Sequence, residues 1–220
     1  LATGDVIDFV IVLGDTLDIG TPSDNTVTAA KLNDDIISGQ TALASEPADT
    51  DEFLVSDAGT LKRIDYSLIK GGGITMAQQY RITANITSDA NPITSNWEEV
   101  DTDGYGTLGT GMTLSSGRFS FPSTGYYLIT IHPWVVPASG DNLFFKIETT
   151  TDNSSYNTAA SSGGFGGGEY AGSGSFIFDV TDTSTHKVSF GATSIASGSY
   201  LRGETAFNAT HVTFVRLGDT

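Results

Sequence analysis

The residues best equipped for chemistry lie in a glycine-rich run at positions 163–172, Gly-Gly-Phe-Gly-Gly-Gly-Glu-Tyr-Ala-Gly. Phe165 and Tyr170 offer aromatic faces of the kind that stack on a sugar ring, and Glu169 can accept hydrogen bonds from its hydroxyls. These three are the receptor-contact candidates, against the plainer reading of a mobile inter-strand loop without a ligand. No Gly-Lys-Ser/Thr follows the glycines, so the run is not a phosphate-binding loop. Asp101-Thr102-Asp103-Gly104 imitates the start of a calcium loop, but its twelfth position is Met112, which cannot supply the bidentate carboxylate. His132, His186 and His211 are far apart and lack a metal spacing such as His-x-x-x-His, and no metal is expected. Gly172-Ser173-Gly174-Ser175 runs straight into a strand pattern, whereas a nucleophile elbow needs a helix after its serine. Paired carboxylates for glycoside cleavage remain open, because their separation is spatial. The motifs therefore point to binding without catalysis, and none implies a cofactor.

Composition narrows the partners. The 220 residues carry 26 acidic against 10 basic side chains, a formal net charge of -16. Phosphate contact needs Lys and Arg, so nucleic acid and anionic membrane are disfavoured as partners. There is no cysteine, so stability must come from a core or an oligomer interface rather than from disulfides. No apolar run reaches the ~20 residues that span a bilayer, so no membrane insertion is expected. Twelve Phe, eight Tyr and two Trp supply bulky core material, while 26 Gly and abundant Thr and Ser suit short strands joined by turns.

Three regions follow along the chain. Residues 1–19 contain a β-branched run at 5–12 and are expected to be the end of a preceding β module, its earlier part lying before Leu1. Residues 20–73 have the character of a connector. A weak helical pattern covers 26–44, Pro47 breaks it, and 53–64 reads as a hairpin turning at Ala58-Gly59. This region has too few large apolar residues to fold alone and would be stable if copies wound together. Residues 74–220 form the folded domain, with strands expected at 78–87, 97–100, 111–115, 118–121, 126–136, 143–150, 175–181, 187–193, 200–203 and 210–217. Turn signals recur about every ten residues, the spacing of a sandwich or jelly roll. The fold class expected is all-β. Phe119, Phe121, Tyr127, Ile129 and Ile131 keep a period of two around a Pro-Ser-Thr-Gly break and are directed at a core. Trp134, Phe145 and Phe214 join Phe119, Phe121 and Tyr127 as candidates for the core or a subunit interface.

The element Gly117-Arg-Phe-Ser-Phe-Pro-Ser-Thr-Gly-Tyr-Tyr-Leu128, the run Asp182-Thr-Ser-Thr-His-Lys-Val188 and the terminal His211-Val-Thr-Phe-Val-Arg-Leu-Gly218 carry a resemblance. Together they resemble the trimeric jelly-roll domains of the complement globular-head and tumour-necrosis-factor type. They are more similar still to the version at the tips of bacteriophage fibres, over residues ~76–220. Residues 48–64 are similar to a connector of phage tail-fibre and virion proteins. The resemblance implies a homotrimeric tail-fibre subunit of a virion, joined to other virion proteins through its N-terminal side, whose distal head binds a bacterial surface glycan or protein. The alternatives are a capsid-attached head fibre or decoration protein, a carbohydrate-active enzyme, and a secreted bacterial binding module. A depolymerising tailspike usually needs a long β-helix, and no solenoid repeat is visible.

Overall fold

A computed structural model describes residues 3–4, 34–70 and 73–220. The strand expected at 5–12, the first part of the expected helix up to residue 33, and Gly71 and Gly72 lie outside the described residues. The chain divides into two units, Leu1–Lys70 and Gly71–Thr220.

In the first unit the helical pattern yields one turn, α1 (Asp35–Ser38). Gly39 closes it, its N–H donating to the Asp35 carbonyl while the Gln40 N–H donates to that of Ile37, and the following Gly-Gln-Thr-Ala stretch offers no apolar stripe to extend it. The hairpin is where the sequence places it: β1 (Glu52–Asp57) pairs antiparallel with β2 (Thr60–Asp65). Ala58 and Gly59 both take positive φ, 49° and 85°, as a two-residue turn matched to the strand twist requires. None of the described residues 34–70 is buried, and Ile37, Leu43, Leu54, Leu61 and Leu68 are all strongly exposed.

The second unit is a jelly roll. Its principal strands are β3 (Met76–Ile82), β6 (Arg118–Ser120), β7 (Gly125–His132), β9 (Asn142–Thr150), β10 (Asn157–Phe165), β12 (Gly174–Val180), β13 (Lys187–Thr193) and β15 (His211–Gly218). They pair from the outside inward, β3 with β15, β6 with β13, β7 with β12, and β9 with β10. This nested pairing defines the topology without reference to any other protein. With β4 (Trp97–Glu99) and β5 (Thr113–Ser115) at the edges, the two sheets run β12-β7-β15-β3-β4 and β10-β9-β13-β6-β5. A small third sheet joins β8 (Trp134–Val136), β11 (Tyr170–Ala171) and β14 (Tyr200–Leu201).

The core lies between the two large sheets and is built by alternation. Tyr127, Ile129 and Ile131 of β7 and Val212 and Phe214 of β15 face Phe145 and Ile147 of β9 and Val188 and Phe190 of β13, all fully buried. Phe119 sits at the centre, its ring 5.0 to 5.5 Å from those of Tyr80, Trp97, Phe190 and Phe214. The Phe-Pro-Ser-Thr-Gly element is the corner where the chain leaves one sheet for the other, since β6 and β7 belong to different sheets. Tyr127 ties the corner down, its hydroxyl donating to the Ser123 carbonyl at 2.9 Å. The long strand expected over 126–136 breaks at Pro133, which has no N–H for a ladder.

Candidate functional site

Four residues singled out in the sequence come together around the small third sheet. β10 ends at Phe165, β11 begins at Tyr170, and β8 begins at Trp134. The glycine-rich run is thus strand at both ends, with a short loop at 166–169 between, and not one open loop. Glycine is required there by close approach: a Cβ on Gly164 would stand 2.6 Å from the Tyr170 ring. Tyr170 is also fixed at its far end, where the hydroxyl donates to the Phe165 carbonyl at 2.7 Å. Phe165 is 63% exposed and rests edge-on against Phe144, 5.6 Å between centroids.

Glu169 is held by one hydrogen bond and one ion pair. The Trp134 indole N–H donates to its Oε2 at 3.0 Å, and the Arg202 guanidinium stands 3.8 Å from the same oxygen. Arg202 in turn lies over the Trp134 ring at 4.3 Å and near Phe207 at 5.9 Å. The result is a rim of four aromatic rings, a carboxylate and a guanidinium, half-buried to exposed, whose ring faces and polar tips can meet a polyhydroxylated ligand. Trp134, a core or interface candidate in the sequence, is part of this rim. Arg202 and Phe207 carry no local signal that sequence reasoning could have used.

The remaining aromatic candidates, Phe119, Phe121, Tyr127, Phe145 and Phe214, are buried in the core of the single chain. The Asp101-Thr102-Asp103 turn serves a structural role. Arg81 is 1% exposed and donates to Glu98 Oε2 at 2.9 Å, to Thr102 Oγ1 at 2.9 Å and to Asp101. Among the described residues no three His, Cys, Asp or Glu side chains cluster in a way that could hold a metal ion.

The outer faces of the two sheets differ in chemistry. On the β12-β7-β15-β3-β4 sheet, the register aligns Ile177, Leu128, Val215 and Ala77 in one row, which Leu108 extends by its bridge to Ala77. Ile177 is 57% and Leu108 48% exposed. Two rows away His132, His211 and Arg81 stand side by side, the two imidazoles stacked at 4.6 Å. Burial, with His132 adding to it, pushes His211 down to about 4, and its buried Nδ1 has no partner among the described residues.

On the β10-β9-β13-β6-β5 sheet the outer face is polar. One row aligns Thr158, Glu148, Ser189, Arg118 and Ser115 across all five strands. A groove of about 240 Å³ opens over this row, bounded by Asn91, Ser154 and Tyr156. Burial raises the Tyr156 phenol above its ordinary value, which keeps it a neutral hydrogen-bond donor.

The fold defines the class, a jelly-roll domain preceded by a β-hairpin unit. No family model matches the chain, and no curated protein does. Among solved structures it is similar to murine APRIL, with 10% identity, a TM-score of 0.49, and coverage of 64% of this chain and 98% of that one. The TNF protein Eiger from S. frugiperda is 14% identical with a TM-score of 0.48, covering 67% of this chain and 96% of that one. The PRD1 vertex protein P5 is 18% identical with a TM-score of 0.41, covering 67% and 100%.

Proposed function

We propose that this chain is a subunit of a homotrimeric virion fibre whose jelly-roll head attaches the particle to a bacterial surface. In this reading residues 1–19 end a preceding β module, 20–73 are the connector, and 74–220 are the head. The observation that carries it is the apolar row Ile177, Leu128, Val215, Ala77 and Leu108 on one sheet face, exposed at Ile177 and Leu108 and half-buried between them. An apolar band of this kind at the centre of a sheet favours burial against another copy. The unburied apolar residues of 34–70 support winding of several connectors together. The fibre-tip resemblance of the Phe-Ser-Phe-Pro-Ser-Thr-Gly-Tyr-Tyr element supports a virion as the setting of the trimer.

The rim of Phe165, Glu169, Tyr170 and Trp134 is the first receptor contact. Its rings stack on a sugar and its carboxylate accepts hydroxyls. Three copies on one axis turn a weak single contact into durable attachment. No bond-breaking chemistry is required of the head. Electron microscopy of particles decorated with an antibody fragment against residues 73–220 tests the reading. Labels at the distal tips of tail fibres support it, labels over the capsid move the chain to a head fibre, and unlabelled particles overturn the virion assignment.

A further inference from the structure

The jelly roll has six described cations, and they divide sharply. Arg81, Arg202 and Arg216 are each ion-paired. The other three, Arg118, Lys146 and Lys187, all point outward from the β10-β9-β13-β6-β5 sheet, in adjoining rows. None of them forms an ion pair among the described residues, in a chain of net charge -16. Where carboxylates are so abundant, three cations without an ion pair on one face are conspicuous, Lys187 being held only by the Thr183 carbonyl at 2.7 Å, and they create a local field attractive to an anion.

The groove over this face is built from buried polar groups. Glu148 is 8% exposed and receives Asn91 Nδ2 at 2.8 Å and Thr158 Oγ1 at 3.5 Å, both on Oε1. Its Oε2 receives no hydrogen bond among the described residues. The Arg118 guanidinium lies over the Tyr156 ring at 4.9 Å and makes no side-chain hydrogen bond among the described residues. The Tyr156 hydroxyl is buried at the groove and has no partner among the described residues. A buried phenol without a partner costs free energy unless something else satisfies it.

We infer that this groove binds one acidic sugar unit, a hexuronic acid residue of a bacterial surface polysaccharide. The inference rests on the proposed attachment role and names a receptor chemistry for it at a second place on the head. Glu148 and Arg118 stand in the same row with one strand between them, so their backbones are about 10 Å apart. That span suits a pyranose ring with its carboxylate on Arg118, steered by Lys187 and Lys146, and its hydroxyls on Glu148 Oε2 and the Tyr156 hydroxyl. A planar guanidinium matches a carboxylate in bidentate fashion. The volume of about 240 Å³ admits one such ring and excludes a bulky peptide side-chain cluster.

The test titrates the full chain with sodium glucuronate, glucose and inorganic phosphate at fixed ionic strength, read by NMR chemical-shift changes. Saturable glucuronate binding is expected at about millimolar Kd, at least tenfold tighter than glucose. Arg118→Gln, at an exposed position, should weaken it about tenfold or more, and Glu148→Gln should weaken it with the fold intact by circular dichroism. Equal affinity for glucose and glucuronate overturns the inference, as does phosphate binding as well as glucuronate, which marks a bare anion site. Absence of saturation, or binding insensitive to Arg118→Gln, overturns it too. The mass of the same sample, measured in parallel, keeps the two readings apart: a trimer that ignores glucuronate refutes this groove and leaves the assembly standing.

Discussion

Phe119→Ala is the most telling perturbation of the core. The side chain is fully buried and its ring touches those of Tyr80, Trp97, Phe190 and Phe214. Truncating a buried Phe costs about 3–5 kcal/mol, part lost transfer energy and part residual cavity. The upper half of that range applies, because the four rings belong to four strands in two sheets and cannot collapse together into the void. A domain of this size has a total stability of about 7–20 kcal/mol, so the variant stays folded. With a urea slope of about 2 kcal/mol per molar, a loss of 4 kcal/mol lowers the midpoint by about 2 M. Equilibrium urea unfolding at one fixed protein concentration, followed by tryptophan fluorescence, reads this directly, fixed concentration being needed because association shifts the midpoint. Phe165→Ala, at a largely exposed position on the rim, should move the midpoint by less than about 0.5 M. If Phe119→Ala shifts it no more than Phe165→Ala does, the account of the core is refuted.

Three further outcomes follow from the outer face of the β12-β7-β15-β3-β4 sheet. His211 is held near 4 against 6.5 in the unfolded chain, so the unfolded state binds the extra proton between these values, and stability should fall as pH drops from about 6.5 towards 4. A displacement of that size is worth about 3.4 kcal/mol at full burial, and about half of it here because solvent reaches the ring; His132, its neighbour in the row, adds like charge. A thermal-unfolding series from pH 7.5 to 4 should flatten in His211→Asn. Glu98→Ala should cost about 2–3 kcal/mol by stripping a partner from the buried guanidinium, more than Arg81→Met, since Glu98 and Asp101 lie towards solvent and rehydrate. Equal losses from the two variants in urea unfolding would show that the Arg81 network does not work this way. Ile177→Asp should leave the circular dichroism of the domain unchanged and reduce the mass in solution to that of one chain, because it places a charge in the middle of the proposed contact.

What could be read in advance followed from local patterning. The hairpin at 52–65 was legible because Ala58-Gly59 suits a turn with two positive φ values, and the core rows because Leu143, Phe145 and Ile147 or Phe176 and Phe178 alternate. β10 was not legible: Asn-Thr-Ala-Ala-Ser-Ser-Gly-Gly-Phe has no apolar alternation, and it is a strand only because β9 pairs with it along its length. Its Gly163 admits no Cβ without meeting the Leu143 carbonyl, a constraint that looks like loop composition when read alone. The corner at Pro122–Gly125 signalled a break, but local sequence says nothing of whether a break closes a hairpin or crosses between sheets. The groove was the least legible of all. Arg118, Glu148 and Ser189 are distant in sequence, and only the register of β6, β13 and β9 places them in one row.

The central claim is that the exposed apolar row exists to be covered by further copies of the same chain. Sedimentation equilibrium of the full chain at micromolar concentration tests it most directly. The account expects a single species at three times the 23.0 kDa chain mass, reduced to one chain by Ile177→Asp. A wild-type species at the mass of one chain, or of two, would contradict it.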